Sequence, residues 1–274
     1  MVYKVTDTKT VEHLFAGWQE TTIWSALQGI MGDIYAVAQE FQRPHAAMVI
    51  MGDFCFLAGE PSAELVAYKP EKCPKDFIIM VPQNEAWAKV IEEHYQEKAG
   101  KVIRYAIRKD RGNFKKEKLT EAVAHLPEGC ELRLIDRGLY EKCLAEEWSK
   151  DFVANYRDYE MFEKLGLGVV MVRKGTSLNG TEGTGQERSA TEEILAGASS
   201  YSTYQGGIEI EIVTREDCRR QGLAYMCASK LILECLERNL YPSWDARTRI
   251  SVALAEKLGY EYSHEYVAYD IVGY

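Results

Sequence analysis

Apolar residues along this chain recur in two rhythms, at helical spacing in some segments and in short unbroken runs in others. Between residues 10 and 40, Val11, Leu14, Phe15 and Trp18, then Ile23, Trp24 and Leu27, predict a largely helical stretch with a break near Thr21-Thr22. Apolar runs at 46–51 and 54–58 flank Gly52-Asp53 and predict a β-hairpin. Pro61 opens a short helix reaching residue 67. A strand at 77–81, a helix at 84–98 with Trp87, Val90, Ile91 and Tyr95 on one side, a strand at 102–107 and a helix at 114–126 follow.

The alternation restarts near residue 130. It predicts a strand at 131–136, helices at 137–148 and 152–165, and strands at 168–172 and 194–204, the last two joined through a polar connection at 174–191. The strand 208–214 leads through a charged turn into a long helix with apolar Leu223, Met226, Cys227, Leu231, Ile232, Cys235 and Leu236. A short strand at 241–244, a helix at 249–258 and a closing strand or hairpin at 260–271 complete the pattern. The expectation is an α/β fold with mixed sheets, in two parts divided near residue 130: an N-terminal α/β helper at 1–130 and a second domain at 131–274.

Composition narrows the function classes. The chain has 274 residues, 46% of them hydrophobic, which is enough for a substantial core. A formal net charge of −9 argues against nonspecific nucleic-acid binding and is compatible with a cationic substrate such as an amine. No apolar run approaches the roughly 20 residues of a bilayer span, and no signal-peptide pattern is visible at the N-terminus. Seven cysteines stand singly, so neither a disulfide framework nor a zinc ribbon is expected, and a reducing cytoplasm is the simplest location. His125 and His264 lack partners at metal-ligand spacing, so no metal is expected.

Candidate chemistry concentrates at 208–239. Gly222 in the turn Arg219-Arg220-Gln221-Gly222-Leu223-Ala224 frees the backbone at a helix entrance, where unpaired amides and the helix dipole favour an anion. Flanking arginines suit a pyrophosphate. Glu209 and Glu211 alternate with isoleucines, so both carboxylates leave one face of the strand. Their mutual repulsion would raise a pKa, as a general base requires; a polar, half-exposed strand face is the plainer reading.

The ordered set of strand, two helices, two strands, Ile212-Val213-Thr214, the Arg-x-x-Gly-x-Ala turn, the long helix and Leu258-Gly259-Tyr260 resembles the GNAT superfamily of acyl-CoA-dependent N-acyltransferases over about residues 131–274. Pro242-Ser243-Trp244-Asp245-Ala246 with Ser251 and 254–260 resembles, within it, the group that includes zwittermicin A resistance acetyltransferases. Trp18, Gln28-Gly29, Gly32 and Gly52-Asp53-Phe54 resemble that group's extra domain more loosely.

The resemblance implies direct acetyl transfer from acetyl-CoA, as co-substrate, to an amine of a small molecule such as an amino-antibiotic. It implies that Ile212, Val213 and Thr214 align the pantetheine arm by their backbone, and that Arg219, Arg220, Gln221, Gly222, Leu223 and Ala224 hold the pyrophosphate. Thr248 stands where the family often has asparagine, and Ser251 lies one turn later. Glu209 or Glu211 would serve as base. The family's usual tyrosine acid falls at Ala255, leaving water, Ser251, Tyr260 or Tyr266 to protonate the thiolate. No nucleic acid or membrane partner is implied, and a homodimer is compatible with the pattern. A non-catalytic CoA-binding sensor, or a nucleotide-binding enzyme using the same helix entrance, are the other readings of these residues.

Overall fold

A computed structural model describes residues 1–38, 43–71, 73, 76–175 and 191–274. The strands are β1 (Val2–Lys4), β2 (Asp33–Val37), β3 (Ala46–Met51), β4 (Phe54–Gly59), β5 (Phe77–Pro82), β6 (Ala99–Ile107) and β7 (Cys130–Leu134), then β8 (Gly168–Gly175), β9 (Thr191–Tyr204), β10 (Gly207–Thr214), β11 (Tyr241–Ser243), β12 (Asp245–Ala246) and β13 (Tyr262–Val272). The α-helices are α1 (Thr21–Leu27), α2 (Ala63–Val66), α3 (Glu85–Tyr95), α4 (Lys116–Ala124), α5 (Arg137–Ala145), α6 (Tyr159–Leu165), α7 (Leu223–Glu237) and α8 (Arg249–Leu258).

They form two sheets, in the orders β1-β2-β3-β4-β5-β13-β6-β12 and β11-β10-β9-β8-β7. The mixed α/β class expected from the alternation is the one observed, and the hairpin around Gly52-Asp53 pairs Met51 with Phe54. The second sheet starts in chain order at β7, whose first residue is Cys130. The packing, however, does not divide there: β13, the last strand of the chain, lies between β5 and β6 in the first sheet.

Two segments differ from the periodicity. The expected helix at 10–40 is two 3-10 turns (Thr8–Thr10 and Glu12–Phe15), the seven-residue α1, and the strand β2. Ile34, Tyr35, Ala36 and Val37 are all buried between β1 and β3, and a short run buried on both faces carries no period to distinguish strand from helix. The expected helix at 152–165 starts only at Tyr159, because Asp158 caps it by accepting from the Met161 N–H at 2.8 Å. The polar connection at 174–191 lies, for residues 176–190, outside the described residues.

The long helix α7 buries Leu223, Cys227, Ala228, Leu231, Ile232 and Cys235 in a core shared with β8, β9 and β10. Burial pushes the Cys227 and Cys235 thiols up to about 12, which keeps them protonated core residues, as their positions in the sequence suggest. Among the described residues no helix is long and apolar enough to cross a membrane.

One glycine joins the two sheets. Gly52 has φ +54°, and a Cβ there would sit 1.9 Å from the Tyr201 hydroxyl of β9. That hydroxyl accepts from the Asp53 N–H at 2.6 Å and donates to the Met51 carbonyl at 3.2 Å, which docks the β3–β4 turn on the second sheet. Gly52→Ala therefore meets both a backbone penalty and a steric one. It should lower stability by roughly 2–4 kcal/mol, read as a reduced urea midpoint at unchanged m-value; an unchanged midpoint would contradict this account of the turn.

Candidate active site

The site is built where two strands part. β10 and β11 run parallel through three pairs only, Gly207 with Tyr241, Ile208 with Pro242, and Glu209 with Ser243. Beyond Ser243 the chain crosses at Trp244 to β12, which pairs with β6 of the other sheet. β10 instead stays with β9 as far as Thr214, after a register shift between Glu209 and Ile210. Pro242, which has no N–H to give a ladder, sits next to the fork. The Arg215 N–H bonds the Leu195 carbonyl at 2.9 Å. In an antiparallel ladder alternate residues face opposite ways, so the N–H and C=O of Ile212 and Thr214 point away from β9. On that side no described strand pairs with them.

The parting opens a cleft of about 760 Å³ lined from both halves of the chain. Phe54 and Phe56, stacked with centroids 5.6 Å apart, and Tyr201, edge-on to Phe54 at 5.9 Å, form an aromatic wall. Glu20, Asp53, Asp151, Glu209, Glu211 and Asp245 supply carboxylates. The lining guanidinium groups are largely committed: Arg104 to Asp245, Arg247 to Asp270 at 3.0 Å, and Arg108 to Glu261 at 3.6 Å. Carboxylate side chains thus outnumber the cationic ones in the lining, Lys109 included.

Both sequence-selected glutamates reach this cleft. Glu209 is only 9% exposed and accepts a hydrogen bond at Oε2 from the Thr21 hydroxyl of α1. Burial pushes its carboxyl up to about 7, against the opposing pull of Lys109 and of Thr21. Glu211 is also pushed up to about 7, first by burial and then by Asp151 and Asp53. The elevated proton affinity expected from neighbouring like charges is present, but its main cause is desolvation. The like charges come from other elements rather than from the other glutamate.

Beside them lies a network the sequence reading did not assign. Arg104, buried in β6, donates through Nε to Asp245 Oδ2 at 2.7 Å and to the Tyr266 hydroxyl at 3.2 Å, and its guanidinium lies 4.7 Å from the Phe54 ring centre. Tyr266 donates to Asp245 Oδ1 at 2.8 Å. Burial alone would favour a neutral Arg104, but Asp245 and Tyr266 overcome this and hold it charged. Burial, then Asp245, holds the Tyr266 phenol well above its ordinary value, so it remains protonated. A lone arginine inside the apolar strand 102–107 was the available sequence signal; Thr21, Tyr201 and Lys109 had none. Of the other tyrosine named, Tyr260 lies in the core and donates to the Pro242 carbonyl at 2.6 Å. Ala255 is fully buried.

Of the remaining sequence-selected residues, Ile212 and Ser251 line the cleft. Val213, Thr214 and the turn 219–224 lie beyond its lining. In that turn Arg220 has φ +62° and Gly222 φ +80°, and no side chain caps α7. The first amides of a 15-residue helix are thus left without a capping side chain, beside exposed Arg219. Thr248 is the cap of α8: its hydroxyl accepts from the Ser251 N–H at 3.2 Å and donates to Ser251 Oγ at 3.3 Å. The open β10 edge and the uncapped α7 entrance fit a long ligand with an extended arm and a phosphate end.

A sheet forked over buried carboxylates, with such an edge and helix entrance alongside, has the architecture of an N-acyltransferase. The chain belongs to the GNAT acetyltransferase family, whose description matches residues 12–269. It is 46% identical, with a TM-score of 0.84, to a GCN5-related N-acetyltransferase-like protein from Streptococcus suis 89/1591, covering 97% of this chain and 98% of that one. It is 26% identical over 259 residues to the uncharacterized N-acetyltransferase YdfB of Bacillus subtilis (strain 168), covering 91% of this chain and 89% of that protein. A GCN5-related N-acetyltransferase from Sphaerobacter thermophilus, 14% identical with a TM-score of 0.55 over 99% of this chain and 95% of that one, shares the fold. The protein is therefore an acyltransferase of a family that uses acetyl-CoA as co-substrate.

The buried carboxylate makes stability depend on pH. The Glu209 pKa rises from 4.5 to about 7 on folding. Its contribution is therefore fully present below about pH 4.5 and is lost as pH rises through about 7. Glu209→Gln, neutral throughout, should exceed the parent in stability at pH 8 by up to about 3 kcal/mol, and the gap should close by pH 4. Urea titrations across this range check it; a gap independent of pH would contradict it.

Proposed function

We propose that the protein transfers an acetyl group directly from acetyl-CoA to the amine of a small cationic molecule, with Glu209 as general base. The observation that carries this reading is the Glu209 carboxyl, buried at the fork of the sheet with a pKa of about 7. A base of that strength is half ionised near neutrality and is balanced between accepting and releasing a proton. Glu209 takes a proton from the acceptor's ammonium group, and Glu211 with the acidic wall holds the positive charge of the incoming amine. Bound acetyl-CoA supplies the activated acyl thioester. Backbone groups of Ile212, Val213 and Thr214 align its arm, and the outward N–H groups of β10 stabilise negative charge on the acyl oxygen. Amides and side chains of Arg219, Arg220, Gln221, Gly222, Leu223 and Ala224 bind the pyrophosphate, with Thr248 at the flank. Water or the Ser251 hydroxyl protonates the departing thiolate, since the Tyr266 proton is held by Asp245. The segment 242–260 and the acidic cleft favour an amino-antibiotic acceptor, as in the zwittermicin A resistance group. In this division of labour residues 1–130 complete the acceptor side and residues 131–274 hold the acyl donor.

Incubation with acetyl-CoA and a panel of polyamines, aminoglycosides and aminopolyols, followed by mass spectrometry, should give an N-acetylated product and stoichiometric free CoA. Glu209→Gln should lower kcat/KM at pH 7 by about 10²- to 10⁴-fold. A second reading, a CoA-binding sensor, draws on Ala255 in place of a phenol and on the Thr248 hydroxyl committed to a helix cap. Acetyl-CoA binding without product across the panel would select it. For the donor side, Gly222→Val strains the φ +80° helix entrance. It should raise the KM for acetyl-CoA about tenfold or more while kcat changes less than about threefold; an unchanged KM would remove the turn from the binding site.

A further inference from the structure

We infer that Thr21 is a positioning residue for Glu209, so that the first half of the chain orients and tunes the base carried by the second. The inference rests on the reading of Glu209 as base. Thr21 opens α1, is 1% exposed, and donates its hydroxyl proton to Glu209 Oε2 from 188 residues away in sequence.

Its place is fixed independently of that bond. Ser25, one turn on, donates to the Thr203 carbonyl at 2.5 Å, the Gln28 side chain accepts from the Gln205 N–H at 2.7 Å, and Trp24 meets the Tyr204 ring edge-on at 5.6 Å. Three contacts along α1 thus clamp the helix to the end of β9 and hold the Thr21 hydroxyl against the carboxylate.

The other groups around Glu209 do not replace it. From β9, β11 and the segment after α8, the Tyr204, Tyr241 and Tyr260 hydroxyls donate instead to the Tyr241, Arg108 and Pro242 carbonyls. Ser243 stands opposite Glu209 in the β10–β11 pair; its hydroxyl lies outside hydrogen-bond geometry, and its pull toward the ionised carboxylate is weaker than that of Thr21. Lys109 attracts the carboxylate from an exposed position, with its ammonium 5.7 Å from the Trp24 ring centre, while Asp245 repels it. Thr21 is therefore the group whose hydroxyl meets hydrogen-bond geometry at this buried carboxylate. A donor of this kind stabilises the ionised form and fixes the orientation of the carboxylate plane. Without it the balance at Glu209 moves toward the protonated form and the carboxylate loses that anchor.

The test reads Glu209 directly. The protein is labelled with ¹³C-carboxyl glutamate and titrated by NMR, with the Glu209 resonance identified by its loss in Glu209→Gln. Thr21→Val, which keeps the side-chain shape but removes the donor, should move the Glu209 midpoint upward by about 1 unit, and Thr21→Ser should restore it. Thr21→Ala should give the same upward shift and serves if the valine variant folds poorly. A midpoint unmoved in the valine and alanine variants, or one the serine variant fails to restore, overturns the inference while leaving Glu209 free to act as base. A Glu209→Gln enzyme that acetylates the panel amines as fast as the parent overturns instead the reading of Glu209 as base, and with it the catalytic role of Thr21, even where the NMR shift is seen.

Discussion

The structure depends on one divergence of backbone. β10 and β11 share three parallel pairs and then separate, because the chain after Ser243 crosses at Trp244 to another sheet while β10 remains on β9. The fork creates a partly exposed sheet edge at Ile212 and Thr214 whose peptide groups pair with no described strand. It also sets Glu209 in the gap, where the residue is 9% exposed and its carboxylate meets Thr21 of α1.

That enclosure governs the electrostatics. An exposed glutamate on a strand would titrate near 4.5 and be a weak base; burial at the fork raises Glu209 and Glu211 to about 7. That desolvation is opposed by Lys109 and the Thr21 hydroxyl at Glu209, and by Arg104 at Glu211. Beside them Phe54, Phe56 and Tyr201 give the same cleft an aromatic wall.

The two halves of the chain are interlocked rather than appended. β13 closes the first sheet between β5 and β6, β12 extends it beyond β6, and α1 returns to clamp β9. Gly52 adds a further joint, since only the absence of a Cβ lets Tyr201 bond both Met51 and Asp53. A cleft assembled from both sheets follows from this interlocking.

What was legible in the sequence was local. The period-2 alternation of 208–212 singled out Glu209 and Glu211, which line the cleft, Gly222 marked a helix entrance requiring positive φ, and the apolar stripe of α7 predicted its buried side. Where a segment is buried on both faces, as in β2, its pattern loses the period that distinguishes strand from helix, and the helix expected there was wrong. Pairings between distant segments decided the rest. The insertion of β13, the approach of Thr21 to Glu209 and the capture of Arg104 by Asp245 depend on contacts more than 100 residues apart. The sequence by itself determined which glycine opens the helix and which residues of α7 are buried, because those follow from bond geometry within a few residues. Only the tertiary structure decided how deeply the carboxylates are buried and what donates to them, because desolvation is set by everything packed around a group rather than by its neighbours in the chain.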